Sequence, residues 1–306
     1  MSEYHTPVLL NESITELLAN KDGIYADATF GGGGHTREIL SRLSPMGRVL
    51  AFDRDTDALA NRIEDNRLTL IHNNFRFIHN YVLYEGYRDG IDGILADLGV
   101  SSHQFDTADR GFSFRYDAPL DMRMNSRAEM TAEDIVNSYE KEELEKILKI
   151  YGEVDNSRKI AALITKARET SRIHTTGDLH EAIASALPKF AEHKALAKIY
   201  QALRIEVNQE MRSLEKFLAG AADSLKPGGK LVVITYHSLE DRMVKNFIKA
   251  GNIEGKPEKD MFGHVKAPFR AINKKPILPT EEEISSNTRA RSAKLRCAEK
   301  IGEDMK

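Results

Sequence analysis

Residues 24–36, IYADATFGGGGHT, decide the fold class of this chain. Ile24 to Thr29 has the pattern of a short buried strand, the four glycines that follow Phe30 form a turn, and His35 to Leu43 has the pattern of a helix. Consecutive glycines between a strand and a helix let the backbone approach a ligand closely, because no Cβ intervenes. The segment therefore predicts a ligand-binding turn at the carboxyl end of a first strand.

Strands and helices alternate on both sides of this turn. Further strands are predicted over residues 48–53, 68–72, 91–97, 230–236, 269–273 and 294–300, with a capped helix after the second strand and another over 76–87. From about Met130 to Ala222 the pattern predicts helices only, over 138–150, 157–169, 178–187 and 194–225. Strands that alternate with helices indicate βαβ units. The chain is therefore predicted to be an α/β protein whose mostly parallel sheet is interrupted by an all-helical insertion.

The second strand ends in Asp53, 22 residues after Gly31. An acid at about that distance from a glycine-rich turn is placed to bind ribose hydroxyls, as in dinucleotide sites. The glycine register of those sites fails here, because Thr36 or Arg37 stands where the last glycine is needed. No G-K-[ST] follows either, which excludes a P-loop. Both motifs serve cofactor phosphates, so their absence favours S-adenosylmethionine, which has none.

The fourth strand ends in Asp97, the first residue of DLGVSS. Ligands of open α/β sheets bind beyond the carboxyl ends of the strands, which places Asp97 beside the glycine turn and Asp53. The plainer alternative for Asp97 is a cap of the turn that follows. Many amino-methyltransferases carry the motif D/N/S-P-P-Y/F at this point. This chain has Asp97-Leu98-Gly99-Val100 there, without the prolines or the terminal aromatic residue. If the substrate is a nucleic-acid base, the aromatic residue that stacks on it must come from elsewhere, and the candidates are Phe112, Phe114, Tyr116 and Tyr236.

Composition narrows the class of protein. Of the 306 residues, 41% are hydrophobic, which is enough for a buried core, and 30% are charged. No apolar run approaches the roughly 18 residues of a membrane span, and the amino terminus does not look like a secretory signal. The single cysteine, Cys297, excludes a disulfide framework and a multi-thiolate metal site. We predict a cytoplasmic protein without a resident metal.

Charge is unevenly distributed along the chain. The net charge is −3, yet the segment from Lys266 to Arg296 holds eight basic residues against three acidic ones. A basic face on an acidic protein suits contact with nucleic-acid phosphates, whereas most charge runs are solvated surface. The stretch from Arg110 to Tyr116 mixes basic and aromatic residues, which suits RNA bases as well as a loop with its aromatic side chains packed inward.

Eight motifs in order make the chain resemble a known family. They are HTPVLLNES (5–13), DATFGGGGHT (27–36), FDRD (52–55), DGILADLGVSSHQFD (92–106), RGFSF (110–114), PLDMRM (119–124), YHSLEDR (236–242) and ARSAKLR (290–296). Together they resemble the RsmH/MraW family of 16S ribosomal RNA methyltransferases over nearly the whole chain. The resemblance implies S-adenosylmethionine-dependent methylation of the N4 amine of a cytosine in the decoding region of 16S rRNA.

The resemblance also implies an architecture and a set of partners. The fold would be a class I, Rossmann-like methyltransferase domain, residues 1–112 and 205–306, with an inserted helical domain, residues 113–204, that recognises RNA. The partner would be 16S rRNA or the small ribosomal subunit, with neither DNA nor a membrane, and the protein would be a monomer or a homodimer.

The family also implies which residues hold the cofactor. They are Gly33, Gly34, His35, Asp53, Phe75, Asp97 and Gln104. The glycine amides would face the methionine end, Asp53 the ribose hydroxyls and Phe75 the adenine face. Asp97 and Gln104 would close the pocket near the sulfonium. Asp97 is also the candidate acceptor for the positive charge that develops on the attacking amine, since the reaction is an in-line displacement that depends on positioning.

Two other functions use part of the same pattern. A nicotinamide-dependent oxidoreductase would use the sheet and Asp53, although the broken glycine register argues against it. A noncatalytic RNA-binding scaffold would explain the basic segment and the helices, but it would not need the glycine turn, Asp53 and Asp97 together.

Overall fold

The structure, a computed structural model, describes residues 7–99 and 107–302. The chain divides into two compact units. The first comprises Met1–Gly99 and Met211–Lys306, and the second is Val100–Glu210. The predicted helical insertion, residues 113–204, lies within the second unit. No helix among the described residues is long and apolar enough to cross a membrane.

The first unit is built on a single sheet. Its strands are β1 Ile24–Asp27, β2 Arg48–Asp53, β3 Leu68–His72, β4 Ile91–Asp97, β5 Leu225–Thr235, β6 Phe269–Ala271 and β7 Lys294–Lys300. In the described part of the chain they form a seven-stranded sheet in the order β3-β2-β1-β4-β5-β7-β6. Strands β1 to β5 pair in parallel, and β7 runs antiparallel between β5 and β6. The mostly parallel sheet is confirmed, and the antiparallel β7 distinguishes it from the dinucleotide-binding order 3-2-1-4-5-6.

Helices account for most of the remaining regular structure. They are α1 Leu10–Leu17, α2 Gly34–Arg42, α3 Ile78–Tyr84, α4 Ala132–Ser138, α5 Lys141–Tyr151, α6 Ser157–Thr170, α7 Thr176–Ile183, α8 Glu192–Asn208, α9 Glu210–Ser224, α10 Ser238–Ala250 and α11 Glu281–Ser286. Helices α2 to α9 follow the predicted alternation and the predicted helical stretch, whereas α1, α10 and α11 were not predicted from the sequence pattern.

Both faces of the sheet are covered, because side chains alternate across each strand. One face packs against α3, α9 and α10, with Phe52, Phe217 and Val244 in its core. The other packs against α1 and α2, with Tyr25 and Ile39 in its core. This three-layer arrangement fixes the carboxyl ends of the parallel strands at one edge of the sheet.

The second unit has its own apolar core. Helices α4 to α8 contribute buried side chains to it, including Ile135, Leu148, Ile164 and Leu203. Thr131 caps α4 with a reciprocal bond to Asp134, which satisfies backbone groups that a helix start otherwise leaves open. The predicted all-helical character of this segment is confirmed.

Three predicted elements differ from the structure. The single helix predicted over 194–225 is two helices, because Gln209 adopts a left-handed conformation at φ 49°, which no helix interior tolerates. After β2 there is a 3₁₀ turn at Ala58–Asn61 in place of a capped helix. There the carboxylates of Asp53 and Asp55 accept from nearby backbone N–H groups, and such local bonds compete with a helix. The turn predicted at 226–229 is an irregular start of β5.

Candidate active site

Three aspartates end three adjacent parallel strands. Asp27 ends β1, Asp53 ends β2 and Asp97 ends β4, and β1 lies between the other two. Because parallel strands have their carboxyl ends at one edge of the sheet, the three carboxylates mark a single region there. The structure thus brings together the two acids that the sequence singled out, Asp53 and Asp97, and adds Asp27.

The glycine turn bonds directly to Asp53. The backbone N–H of Gly31 donates to Oδ2 of Asp53 at 2.8 Å, and the carbonyl of Gly31 accepts from the amide of Asn61 at 3.1 Å. Gly31 and Gly33 have φ values of +51° and +75°, a region that favours glycine. A Cβ on Gly34 would lie 2.2 Å from Cγ of Pro7. Backbone conformation and close packing therefore both require glycine in this turn.

Asp53 keeps acceptor capacity in spite of these bonds. Its Oδ1 accepts from the N–H of Asp55 at 2.8 Å, so each carboxylate oxygen uses one of its two lone pairs. Burial raises the pKa of Asp53 to about 6, against the lowering effect of the Asp55 and Gly31 N–H donors. At neutral pH Asp53 is therefore an ionised acceptor with room for two further donors.

Among the described residues, Asp97 has a hydrogen-bond donor on one carboxylate oxygen and none on the other. The hydroxyl of Tyr236, the residue after β5, donates to Oδ1 of Asp97 at 2.7 Å. Oδ2 lies 3.9 Å from Nδ1 of His35, which is beyond hydrogen-bond distance. Burial raises the pKa of Asp97 to about 6, while His35 and the Tyr236 hydroxyl lower it. The backbone is fixed as well, because the N–H of Asp97 donates to Oγ1 of Thr29 at 2.7 Å.

His35 lies at the start of α2, directly after the glycine turn. Its side chain is only 5% exposed, and within the described part of the chain its buried Nε2 has no hydrogen-bond partner. A buried polar atom of this kind calls for a polar partner. The neighbouring Thr36 donates to Oδ2 of the buried Asp27 at 2.6 Å, which ties the first turn of α2 to β1.

Phe75 lies in a 3₁₀ turn just after β3. It is partly buried against the apolar layer of the sheet, and its ring meets Phe217 edge-on at 5.2 Å. These contacts fix one side of the Phe75 ring. That the ring packs on the adenine of the cofactor stays a prediction. Gln104 lies outside the described residues.

Tyr236 has a role that the sequence analysis missed. It was a candidate for stacking on the target base, yet its hydroxyl is bonded to Asp97 and its ring lies against Gly99, where a Cβ would come within 3.0 Å of Cδ2. The adjacency of β4 and β5 was the available signal, because YHSLEDR follows β5 as DLGVSS follows β4. Thr29 and Asp27, which fix Asp97 and α2, were also missed.

The basic segment from Lys266 to Arg296 is only partly available to a ligand. Arg296 is buried and forms two bonds with Asp241, at 2.6 and 3.2 Å, and Arg270 pairs with Glu299 at 2.7 Å. Lys266, Lys274, Lys275 and Arg291 are exposed and form no ion pair with the described residues. Lys294 lies 3.7 Å from Asp241 and Arg289 is half-buried, so these four are the cations of the predicted phosphate-binding face that are most available to a ligand.

Comparison with known proteins shows the family to which the chain belongs. The profile described as the MraW methylase family matches residues 2–301. A protein of Bacteroides fragilis named ribosomal RNA small subunit methyltransferase H is 57% identical over 297 residues, 97% of each chain. Proteins with the same name from Parabacteroides distasonis and Flavobacterium johnsoniae are 56% and 54% identical and cover 97–98% of this chain and 98% of their own. As its ordered motifs predict, the chain belongs to the MraW methylase family.

Proposed function

We propose that this enzyme transfers the methyl group of S-adenosylmethionine to the N4 amine of a cytosine in 16S rRNA. The observation that carries the proposal is the sequence identity of 54–57%, over nearly the full length of the chain, to proteins named ribosomal RNA small subunit methyltransferase H. Asp53, which is hydrogen-bonded to the glycine turn, supplies an acceptor for the ribose hydroxyls of a cofactor that contains a nucleoside but no phosphate. The bacterial cytoplasm, where ribosomes are assembled, is the expected location.

The residues at the sheet edge fit S-adenosylmethionine. Asp53 has two unused lone pairs for the two ribose hydroxyls. The orphaned Nε2 of His35 and the backbone of Gly33 and Gly34 provide polar contacts for the methionine end. Phe75 packs against the adenine ring, and Gln104 contacts the cofactor as the family resemblance implies. When bound, the cofactor supplies an electrophilic methyl group on a positively charged sulfur.

Asp97 is the residue assigned to the chemistry. Its Oδ1 is satisfied by Tyr236, which leaves Oδ2 as the acceptor for the amine of the target base. An acceptor at this point favours a pyramidal nitrogen and stabilises the positive charge that develops during transfer. His35, 3.9 Å away, partly offsets the effect of burial, which raises the pKa of this carboxyl to about 6.

The RNA is recognised by elements outside the sheet edge. The helical insertion is the proposed recognition element, since a base that undergoes chemistry must leave its stack and its neighbours must be held. The exposed cations of the basic segment contribute phosphate contacts. The proposed partner is 16S rRNA, free or within the small subunit, and the enzyme acts as a monomer or a homodimer.

Mass mapping of 16S rRNA tests the proposal. Small subunits from a strain that lacks the gene should carry one unmethylated cytosine in the decoding region, and purified enzyme with S-adenosylmethionine should restore the methyl group. An unchanged mass spectrum after deletion would refute the assigned substrate.

Calorimetry tests the cofactor site separately. Asp53→Ala should weaken S-adenosylmethionine binding at least tenfold, because two ribose hydroxyls lose a charged acceptor worth about 1.5–3 kcal/mol per bond. Asp89→Ala is the matched control, because this exposed acid precedes the amino-terminal end of β4, the end opposite Asp97. An unchanged dissociation constant for Asp53→Ala would remove this residue from the site.

A further inference from the structure

The aromatic and basic stretch from Arg110 to Tyr116 divides between the core and the surface of the helical unit. Phe112 is 5% exposed and belongs to the apolar core, with the Arg110 guanidinium 5.7 Å from its ring. Phe114 is partly buried, whereas Tyr116 is 60% exposed. The stretch therefore anchors itself through Phe112 and Phe114 and presents Tyr116 to solvent.

Tyr116 is held in this position from both sides. The Phe114 ring, two residues earlier, lies edge-on to Tyr200 of α8 at 5.3 Å and 5.8 Å from the ring of His193. The carbonyl of Tyr116 accepts from Oγ1 of Thr176 at the start of α7, at 2.7 Å. A ring on an anchored backbone can bind a flat partner with little loss of conformational entropy.

A second aromatic residue is exposed close to the same anchor. Phe190 precedes α8, three residues before His193, and its side chain is fully exposed. An extended residue spans at most about 3.6 Å, so Phe190 lies within about 11 Å along the chain from His193, and Tyr116 within about 7 Å from Phe114. Because Phe114 contacts His193, both exposed rings fall within reach of one short nucleic-acid segment.

The charges around these rings favour an anionic partner. Arg115, Lys189 and Lys194 are exposed, and none forms an ion pair with a residue that the structure describes. These three cations outnumber the two nearby acids, Asp117 and Glu192. Asp117 accepts from the N–H of Gly177 at 2.9 Å, and bonds from Thr175 and Gly177 lower its pKa, while Glu192 lies 2.7 Å from Nε2 of His180.

We infer that Tyr116 and Phe190 form a stacking surface for unpaired bases of the RNA substrate, with Arg115, Lys189 and Lys194 on the adjoining phosphates. Stacking on aromatic rings tolerates any base, because every base has a π-face. Interleaved cations and aromatic rings are the composition of single-strand binding surfaces. The inference rests on the proposed function for the identity of the RNA.

Two sets of variants separate stacking from charge. The first is Tyr116→Ala with Phe190→Ala, and the second is Arg115→Gln, Lys189→Gln and Lys194→Gln together. Tyr84→Ala, at an 81% exposed ring of α3, is the matched control. The probe is a fluorescein-labelled single-stranded RNA from the 16S segment that the wild type methylates, with an abasic version of the same RNA. Fluorescence anisotropy gives affinity against salt, and circular dichroism checks folding.

Loss of the two rings should weaken binding about tenfold per ring, equivalent to about 1.4 kcal/mol each. The salt slope should stay unchanged, and abasic RNA should bind the ring variant and the wild type equally. The charge variant should instead flatten the salt slope by about 0.7 per lost phosphate contact. On small subunits, the ring variant should raise KM while kcat holds.

Two results would overturn the inference. One is a ring variant with wild-type affinity for the RNA, and a raised KM of that variant on small subunits would then indicate a ribosomal protein as the partner. The other is an equal loss of affinity on intact and abasic RNA. A wild-type enzyme that methylates no 16S rRNA would instead refute the proposed function, and the two failures are thus distinguishable.

Discussion

Asp97 has one carboxylate oxygen to which no described residue donates, and we propose that the methyl donor and the target amine meet there. Asp97→Asn keeps the size of the side chain and one acceptor but removes the charge that opposes the developing positive nitrogen. Removal of a preorganised transition-state contact costs about 100-fold in rate, so single-turnover methyl transfer at saturating cofactor and RNA should fall by about that factor. Cofactor affinity should fall less. A normal single-turnover rate would restrict Asp97 to cofactor binding and move the acceptor to a backbone carbonyl near Leu98.

We expect Tyr236 to act on the reaction through its hydrogen bond to Asp97. Its hydroxyl lowers the pKa of the Asp97 carboxyl, which burial raises to about 6. Other charged groups around this carboxyl are His35, Asp27 and Glu240, and Glu283 faces Tyr236. Tyr236→Phe keeps the ring against Gly99 and removes the donor, so the pKa of Asp97 should rise further.

The pH dependence of kcat tests this role. Methyl transfer requires the ionised carboxylate, so the rate should fall as pH drops through about 6, and this acid limb should move to higher pH in Tyr236→Phe. The variant should recover most of its rate at pH 8. A uniformly lowered profile with an unmoved acid limb would assign Tyr236 a packing role only.

The sequence predicted which residues belong to the candidate site where a strand ends in a charged side chain. Asp53 and Asp97 follow buried strands, and the topology of parallel sheets places them together. The bonds from Tyr236 and Thr29 to Asp97 were not predictable in the same way. They depend on which strands are neighbours and on the rotation of single side chains, and a linear pattern specifies neither.

Gly33, in the turn between β1 and α2, and Gly228, near the start of β5, both have a positive φ but differ in their surroundings. Gly33 has φ +75°, and a Cβ there would lie 3.0 Å from the Phe30 ring and 3.2 Å from Ile63. Gly228 has φ +82° with nothing within 4 Å of the added Cβ. Gly33→Ala and Gly228→Ala therefore share the cost of a left-handed residue, about 1–2 kcal/mol, and only Gly33→Ala must displace its neighbours.

Gly33→Ala should accordingly lower the free energy of unfolding more than Gly228→Ala, as urea denaturation would measure. It should also weaken S-adenosylmethionine binding in calorimetry, whereas Gly228→Ala should leave it unchanged. Equal destabilisation by the two variants would mean that Phe30 yields without cost. Normal cofactor affinity in Gly33→Ala would remove this glycine from the binding turn.

Elements with strong periodicity were predictable, and their interruptions were not. The strands β2, β3, β4 and β7 have the predicted bounds. For β2 and β4 the reason is that buried parallel strands read as short apolar runs. The break between α8 and α9 lies in an otherwise continuous helical pattern. There the buried Asn208 bonds to the backbone of Met122 and Met124, each at 2.8 Å. Such a contact across 84 residues or more is invisible to a local pattern.

At the scale of the whole chain, the sheet order and the family match together exclude the two rival functions. An oxidoreductase of the dinucleotide-binding type would lack the antiparallel β7, and a noncatalytic scaffold is not a methylase. The other question at this scale is which basic residues of this acidic protein are exposed to a ligand. Pairing within the basic segment removes Arg296 and Arg270 from that charge and leaves Lys266, Lys274 and Lys275, together with Arg291, as exposed cations.

Replacement of these four cations by alanine should weaken RNA binding and reduce its salt slope by about 0.7 for each phosphate contact that is lost. Cofactor affinity should hold, because none of the four is among the proposed cofactor contacts. Arg270→Ala is the matched control, since Glu299 already neutralises that guanidinium at 2.7 Å and its removal should leave the slope almost unchanged. Anisotropy titrations at several salt concentrations measure both effects. If the fourfold variant keeps the wild-type slope, the segment is a solvated surface, and the phosphate contacts of the enzyme belong to the helical unit alone.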